Sequence, residues 1–435
     1  MTTRRRRSRR TTLLLSAALL LTGVTRSHAD PNTVLANTLW PMYGHDVKHT
    51  FRTSMVGPTT TNLLETTPLG DKITTQPTVS ADGLILVAAG FSAWGVRADG
   101  RILYQAKLKG DEKLSSATFD TNGFFYIGDR GNALNKFDTD TGSLICRQVI
   151  TSQDGDIKAS PTISVKFPNR VYVGEAGVAG ALFAIGTQSP GECQILWTLG
   201  PKDVPGGSLN SIALADTAPG TGDSKGLLIY AAGTTIYGIK DNDTSAQIVM
   251  SRKLTGTILS SSLVIDPATG RIFIGTSRKQ FYGLNPDFSY VFPPVTLDSP
   301  IYSTAALSQD GSTAYIMSFQ GKVHALNTST GVERPGFPVQ APHNTFPKSN
   351  VAPVVDGNGN IYVAGTDRHV RGLHPNGSVF FDAMVGKRVT APPLVLDHSL
   401  IVASWDGKVY RFCPPTTGSP TMTNVCGFTV DTTSP

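Results

Sequence analysis

Two histidines and an aspartate lie close together in the stretch WPMYGHDVKHTFRT, and side chains of these types can bind zinc. His45, Asp46 and His49 supply two imidazoles and one carboxylate, as many protein ligands as a catalytic zinc site needs. Their spacing, however, matches no established zinc motif. We therefore expect a structural role for these three side chains, set by the elements that surround them.

Those elements come from a unit that recurs along the chain. Each copy has a pair of small polar residues, an apolar strand, a turn, a second apolar strand ending in Gly or Ser, and a third strand. Residues 115–142 (SSATFDTNGFFYIGDRGNALNKFDTDTG) and 303–331 (STAALSQDGSTAYIMSFQGKVHALNTSTG) show the pattern plainly. Equivalent positions recur 39 to 51 residues apart, at Pro77, Ala117, Pro161, Ile212, Leu263, Ala305, Pro353 and Pro392.

Eight such copies predict an all-β fold, an eight-bladed β-propeller of four-stranded antiparallel blades, because roughly 40–50 residues make one blade. Runs such as FFYIG, RVYVG and RIFIG suit strands that are buried on both faces between neighbouring blades. Turns such as DTDTG and NTSTG supply the residue with positive φ that a tight hairpin needs. No blade can bury its faces alone, so the ring must close.

Residues 1–29 have the pattern of a cleaved signal peptide. Arginines crowd MTTRRRRSRR, the apolar run LLLSAALLLTGV follows, and SHA precedes Asp30. SRRTTLL resembles a twin-arginine signal, with ordinary secretion as the alternative. The apolar run is shorter than the roughly 20 residues of a membrane span, so we expect no transmembrane segment. The expected protein is exported, periplasmic or extracellular, and monomeric.

The positive charge of the chain belongs to that signal. Seven of the 38 Lys and Arg residues, and none of the 32 Asp and Glu residues, precede Asp30, so the remaining chain is nearly neutral. No basic patch dense enough to follow a phosphate backbone remains. The composition therefore argues against a nucleic-acid partner.

Four cysteines in an exported chain are an even set, for which three pairings exist. Cys413 and Cys426 flank PPTTGSPTMTNV, and a disulfide between them would close this excursion at its base. Cys146 and Cys193 would then pair by elimination. No Cys-x-x-Cys spacing occurs, which makes a metal role the weaker interpretation.

The repeats resemble those of the pyrroloquinoline-quinone-like (PQQ-like) propellers, which include quinoprotein dehydrogenases and an outer-membrane assembly lipoprotein. The segment with Trp40, Gly44, Asp46 and Arg52, followed by MVGP and NLLETTPLG, resembles the lead-in common in such proteins. The resemblance covers nearly the whole chain after the signal. It is specific for the fold and weak for function, because these repeats serve both enzymes and binding proteins.

This resemblance implies the domain organisation. Residues 30–70 would form a lead-in segment and a ring-closing strand, and residues 71–435 the propeller. Residues 62–69 would complete the last blade from the N-terminal side. GFTV near residue 430 is the alternative for the closing-strand position.

A quinoprotein enzyme of this family needs a calcium ion held by carboxylate and amide oxygens on the ring axis, a carboxylate base, and cationic groups around the quinone. Glu112 and Asp156 are the only neighbouring acids on the axial rim that could share a cation, and no carboxylate–asparagine cluster converges there. We therefore expect no cofactor, with PQQ and calcium as the alternative. The candidate rim residues are Lys72, Glu112, Asp156, Lys348, Lys387 and Arg388.

Other catalytic chemistry finds little support in the sequence. No Gly-x-Ser-x-Gly elbow occurs, and the paired serines recur as a feature of the repeat. Trp405 is expected to be a packing residue or a rim contact. Four histidines are expected on the surface, at outer or loop positions: His324, His369, His374 and His398.

Two functions are weighed here, and the resemblance alone adds a third, a role in outer-membrane protein assembly. The first is an exported, non-catalytic propeller that binds a protein, peptide or glycan on its rim and loops, since loop variation leaves the blades intact. The second is a PQQ-dependent dehydrogenase with a non-standard axial site. The empty inventory of catalytic groups favours the first, so we expect that the protein is not an enzyme.

Overall fold

The computed structural model describes residues 35–111, 115–150, 155–177, 180–187, 192–216, 226–341 and 351–414, with the backbone of 424–425 and 428–429. The predicted signal peptide lies outside these residues. Every regular element in the described ranges is a β-strand. The strands form eight antiparallel four-stranded sheets and one two-stranded sheet, which confirms the predicted eight-bladed β-propeller.

Strand β1 (Leu63–Pro68) precedes the blades, which are numbered in chain order with the innermost strand first. Blade 1 contains β2 (Thr78–Val79), β3 (Ile85–Ala89), β4 (Ser92–Val96) and β5 (Ile102–Lys107). Blade 2 contains β6 (Thr118–Phe119), β7 (Phe124–Asp129), β8 (Ala133–Asp138) and β9 (Leu144–Val149). Blade 3 contains β10 (Thr162–Ile163), β11 (Arg170–Gly174), β12 (Leu182–Gly186) and β13 (Gln194–Leu199). Blade 4 contains β14 (Ala213–Ala215), β15 (Leu227–Ala232), β16 (Thr235–Asp241) and β17 (Ala246–Lys253).

The second half of the ring repeats this order. Blade 5 contains β18 (Val264–Ile265), β19 (Ile272–Gly275), β20 (Gln280–Leu284) and β21 (Val295–Thr296). Blade 6 contains β22 (Ala306–Leu307), β23 (Thr313–Met317), β24 (Lys322–Asn327) and β25 (Val339–Gln340). Blade 7 contains β26 (Val354–Val355), β27 (Ile361–Ala364), β28 (His369–Leu373) and β29 (Val379–Met384). Blade 8 contains β30 (Leu394–Leu396), β31 (Ser399–Ala403) and β32 (Lys408–Phe412), and β33 (Asn424–Val425) pairs separately with β34 (Phe428–Thr429).

The ring closes with a strand from the other end of the chain. β1 pairs antiparallel with β32 as the fourth, outermost strand of blade 8, with Thr66 opposite Tyr410 and Thr67 opposite Val409. The GFTV segment does not compete for this place, because the backbone of β34 pairs with β33 instead. N-terminal and C-terminal chain thus share one sheet, which holds the ring shut.

Apolar layers fill the spaces between the blades. Separate buried clusters lie between blades 1 and 2, 2 and 3, 3 and 4, 4 and 5, and 5 and 6, and one larger cluster extends from blade 6 through blade 8 to blade 1. The second strand of each blade is buried on both faces, as in IFIG of β19, where all four residues are buried. This explains why these strands are continuous apolar runs rather than alternating ones.

The lead-in segment crosses one end of the axial channel, following the ring from blade to blade. Its backbone carbonyls accept a backbone N–H from the end of the innermost strand in six blades, at N–O distances of 2.8–3.0 Å. Trp40, Met42 and Phe51 of this segment have no exposed surface. The donor–acceptor pairs are Val79–Trp40, Phe119–Pro41, Leu214–Val47, Ile265–Lys48, Leu307–Thr50 and Val355–Phe51.

A disulfide joins Cys146, on β9 of blade 2, to Cys193, just before β13 of blade 3. It therefore ties the outer strands of two adjacent blades, as the pairing by elimination predicted. Cys413 is buried at the end of β32, but Cys426 lies outside the described residues, so the second pairing stays a prediction.

Replacing both cysteines of the described bridge, Cys146→Ser with Cys193→Ser, should weaken the contact between blades 2 and 3. The bridge spans 47 residues, and removing a native disulfide typically costs about 2–4 kcal/mol through the entropy of the unfolded chain. We expect a decrease of that size in the free energy of unfolding, measured with urea without reductant. Unfolding curves that coincide with those of the unchanged chain would contradict the role of this bridge.

Candidate functional site

The three side chains that open the sequence analysis do not converge on one point. The carboxylate of Asp46 accepts hydrogen bonds from the backbone N–H of Lys48 at 2.9 Å and from the backbone N–H and hydroxyl of Thr50. It therefore holds the tight turn in which His45 and His49 adopt positive φ angles of 78° and 55°. The ring of His45 meets Trp40 edge-on, with centroids 4.9 Å apart. Asp46 and His45 thus shape the lead-in segment.

His49 anchors the segment to blade 5. Its side chain is fully buried, and Nδ1 lies 3.1 Å from the carbonyl oxygen of Leu263. Burial lowers the pKa of His49 to about 4, because a charged imidazole would lose its hydration there. No group of three or more His, Cys, Asp or Glu side chains in the described parts of the chain is arranged to hold a metal ion.

The centre of the channel is narrow and polar. Tyr43 extends from the lead-in segment into the channel, where its hydroxyl lies 2.9 Å from Oγ1 of Thr304. Above it remains a cavity of about 40 Å³. Hydroxyl-bearing side chains from several blades line this cavity together with Tyr43, Gln76 and Lys158: Thr74, Ser160, Ser211, Ser260, Ser262 and Thr390.

The innermost strands begin at the other end of the channel, which we call the mouth. Here Trp405, on the turn between β31 and β32, carries two cations over its indole ring. Nζ of Lys72 lies 5.3 Å and the Arg388 guanidinium 3.8 Å from the ring centroid. The indole N–H of Trp405 donates to Oγ1 of Thr390 at 2.6 Å, which links the mouth to the cavity. Lys387 is exposed next to Arg388.

The second group of rim residues lies between blades 2 and 3. Oδ2 of Asp156 is 2.9 Å from Nε of Arg130 and 2.9 Å from Nζ of Lys158. Arg130 also binds Asp111, so this part of the rim is a chain of alternating charges. Two of the predicted rim residues, Glu112 and Lys348, lie outside the described residues.

The described residues fit a quinone and a calcium ion poorly. A pocket for a ligand of that size needs roughly 300–1,000 Å³, whereas the axial cavity has about 40 Å³. Asp156, the described member of the predicted acidic pair, already neutralises Arg130 and Lys158. The predicted site residues therefore form two separate groups, Trp405 with its cations and the ion pairs of Asp156, rather than one cofactor cradle.

Some functional features were not evident from the sequence. Lys158 reaches the cavity although nothing in the repeat pattern distinguishes it from other lysines. His324 was expected on the surface, but it is 4% exposed and lies between Glu333 and Asp298, 2.8 Å from each carboxylate. Asp298 lies in the connection after β21, and Glu333 lies in the connection between β24 and β25. The burial of His324 therefore depends on the paths of loops, which the repeat pattern does not predict. Burial lowers the pKa of His324 and is the largest single effect. The interactions with the two carboxylates together outweigh it, so the pKa is raised.

No model of a known sequence family matches the chain, and no curated protein matches it in sequence. Solved structures do. BamB from Moraxella catarrhalis is 18% identical with a TM-score of 0.60, covering 81% of this chain and 100% of that one. A europium-containing methanol dehydrogenase is 11% identical with a TM-score of 0.68, covering 87% and 90%. A quinohemoprotein alcohol dehydrogenase from Comamonas testosteroni is 12% identical with a TM-score of 0.65, covering 87% and 82%.

These similarities confirm the resemblance to the PQQ-like β-propellers at the level of the fold. At such identities they do not separate a binding protein from a dehydrogenase, because both kinds of protein share the fold. The described residues contain no helix that could cross a membrane. Function therefore has to be argued from the channel and its mouth.

The burial of His49 predicts a pH-dependent stability. Its ordinary pKa is 6.5 and its folded pKa about 4, so between these values the unfolded chain binds a proton that the folded chain does not. Stability therefore decreases as the pH falls from 6.5 to 4, by on the order of 3 kcal/mol. His49→Asn keeps an N–H donor near Leu263 without a titrating group, and should remove this part of the pH dependence.

The measurement is urea unfolding at pH 7 and pH 4.5, with His398→Asn as the matched control. The side chain of His398 is 62% exposed, so its replacement should leave the pH dependence unchanged. Equal pH dependence in the two variants would contradict the role assigned to His49.

Proposed function

We propose that this chain is an exported, non-catalytic PQQ-like propeller that binds a protein, peptide or glycan at the mouth of its channel. The observation that carries the proposal is the path of the lead-in segment. It occupies the far end of the channel with buried side chains and satisfies the innermost strands of six blades. This end of the channel is thereby filled by the segment, and the small cavity that remains is lined mainly by hydroxyls, with Lys158 as its charged residue.

The mouth has the features of a binding surface. It combines an aromatic ring under two cations, at Trp405, with exposed apolar side chains on other loops at the same end of the ring. Phe91, on the turn between β3 and β4, is 58% exposed, and Leu259, just before β18, is 47% exposed. Tryptophan and arginine are the residue types that most often dominate binding energy. Such a surface suits a partner with an acidic group beside an apolar one.

Export is part of this proposal. The Cys146–Cys193 disulfide supports it, because structural disulfides persist in oxidising compartments. The arginine-rich start followed by a short apolar run supports it independently. A monomeric state is proposed as well, since closed propellers bury their strand edges within one chain.

Removing the cations at the mouth should weaken binding. The variant Lys72→Ala with Arg388→Ala leaves the blades unchanged, and its matched control is Arg97→Ala with Arg101→Ala, which removes the same charge at the opposite face. We expect partner retention from the exported fraction to decrease at least about tenfold in the first variant, as for a typical interface hot spot. The control should retain the partner as the unchanged protein does.

Quantitative capture with a photo-crosslinker at Phe91 measures this retention. Equal losses in the two double variants would contradict a binding surface at the mouth. A visible-absorbance change that saturates at one PQQ per chain in the presence of calcium would contradict the non-catalytic assignment and favour the dehydrogenase.

A further inference from the structure

A belt of hydroxyls follows the channel wall from blade 2 to blade 6 and joins each of these blades to the next. The backbone N–H of Ser116 donates to Oγ of Ser160 at 2.9 Å, and the N–H of Ser160 donates to Oγ of Ser211 at 3.1 Å. In the same way, the backbone N–H of Ser211 donates to Oγ of Ser262 at 3.1 Å, and the N–H of Ser262 donates to Oγ1 of Thr304 at 3.0 Å. In these blades the small polar pairs of the repeat therefore form hydrogen bonds between neighbouring blades.

Two hydroxyls of this belt accept a hydrogen bond but do not donate one. A hydroxyl has one proton to donate besides the lone pairs with which it accepts. Ser160 and Ser211 use their oxygen as acceptor, each is 2% exposed, and neither hydroxyl donates a hydrogen bond to another described residue. Both side chains line the axial cavity. A buried donor without an acceptor is costly, so an acceptor on the axis would stabilise the site.

Further donors face the same cavity. Oγ1 of Thr390 accepts the indole N–H of Trp405, which leaves its proton free, and Oγ1 of Thr74 is buried with no hydrogen-bond partner among the described residues. Lys158 lines the cavity as well, and its Nζ uses one of three donors on the carboxylate of Asp156. The cavity therefore presents O–H and N–H donors from blades 1, 3, 4 and 8.

Water satisfies such a site less well than an anion does. Each water brings two protons as well as two lone pairs, so it adds as many donors as acceptors to a cavity that is already rich in donors. A carboxylate brings only acceptors, about four lone-pair sites on two oxygens, and hydrogen bonds to it are roughly twice as strong as neutral ones. About 40 Å³ has room for a group of this size, since one water needs roughly 10–15 Å³.

We propose that the axial cavity is a carboxylate-binding site, occupied by the C-terminal carboxylate of a peptide that enters through the mouth. The site itself stands on the donors around the cavity. The peptide as the source of the carboxylate rests on the proposed function, because the cations over Trp405 and the exposed side chains near the mouth would contact the residues that precede the chain end.

The test uses the indole N–H of Trp405 as a reporter, because it bonds the cavity-lining Thr390. The full chain, with ¹⁵N-labelled tryptophan, is titrated with sodium acetate at constant ionic strength kept with sodium chloride, and the indole signals are followed by NMR. We expect the Trp405 signal to shift and saturate, with a dissociation constant on the order of millimolar for so small a ligand. The Trp94 signal is the internal reference.

Ser211→Ala and Ser261→Ala form a matched pair. Both serines are buried and accept one backbone N–H, from Ser160 and from Gly275 respectively, but only Ser211 lines the cavity. We expect Ser211→Ala to weaken acetate binding about tenfold or more, as the loss of one hydrogen bond to a charged group does. Ser261→Ala should bind acetate like the unchanged protein.

The absence of a saturable shift of the Trp405 signal, or equal weakening in both variants, would overturn the site. The source of the carboxylate is tested in a second titration with the peptide Ala-Ala-Ala. One form has a free C-terminal carboxylate and the other has a C-terminal amide. The free peptide should bind more tightly than acetate and the amide should not compete. Acetate binding without peptide binding would keep the carboxylate site and overturn the peptide partner.

Discussion

The structure depends on the hydrogen bonds between the lead-in segment and the innermost strands. Each innermost strand turns one edge toward the channel, where its backbone N–H has no further strand to pair with. The lead-in carbonyls take up six of these N–H groups at the channel end. Left unsatisfied in a buried place, each would cost roughly 1–3 kcal/mol, which is comparable in sum with the whole stability of a typical domain. The segment is thus an integral part of the propeller.

This constraint gives the two ends of the channel different roles. At the end covered by the lead-in segment, Trp40, Met42 and Phe51 complete the apolar packing. At the mouth none of the described residues covers the start of the innermost strands in this way, and the connections between blades are free to differ. The contacts of Lys72 and Arg388 with the Trp405 ring lie on this side. The location of the proposed binding surface therefore follows from how the ring is closed.

The sequence predicts the periodic part of the molecule well. The repeat length, the buried second strands and the hairpin turns follow from local patterns, and they determine the number of blades. The Cys146–Cys193 pair was predicted because only one arrangement remained once Cys413 and Cys426 were set aside. What a single sequence could not predict are contacts between segments far apart in the chain. The hydrogen bond of His49 to Leu263, the burial of His324 between two carboxylates and the arrival of Lys158 at the cavity depend on such contacts.

Hydrogen exchange at the amides that face the lead-in segment tests this account most directly. The N–H groups of Val79, Phe119, Leu214, Ile265, Leu307 and Val355 should exchange as slowly as those of the buried second strands, because releasing the segment would leave all six without an acceptor in the channel. They should also share one free energy of opening, although they come from six different blades. Rapid exchange at these positions, while the second strands stay protected, would show that the segment is a loose cover and would contradict its role in holding the innermost strands.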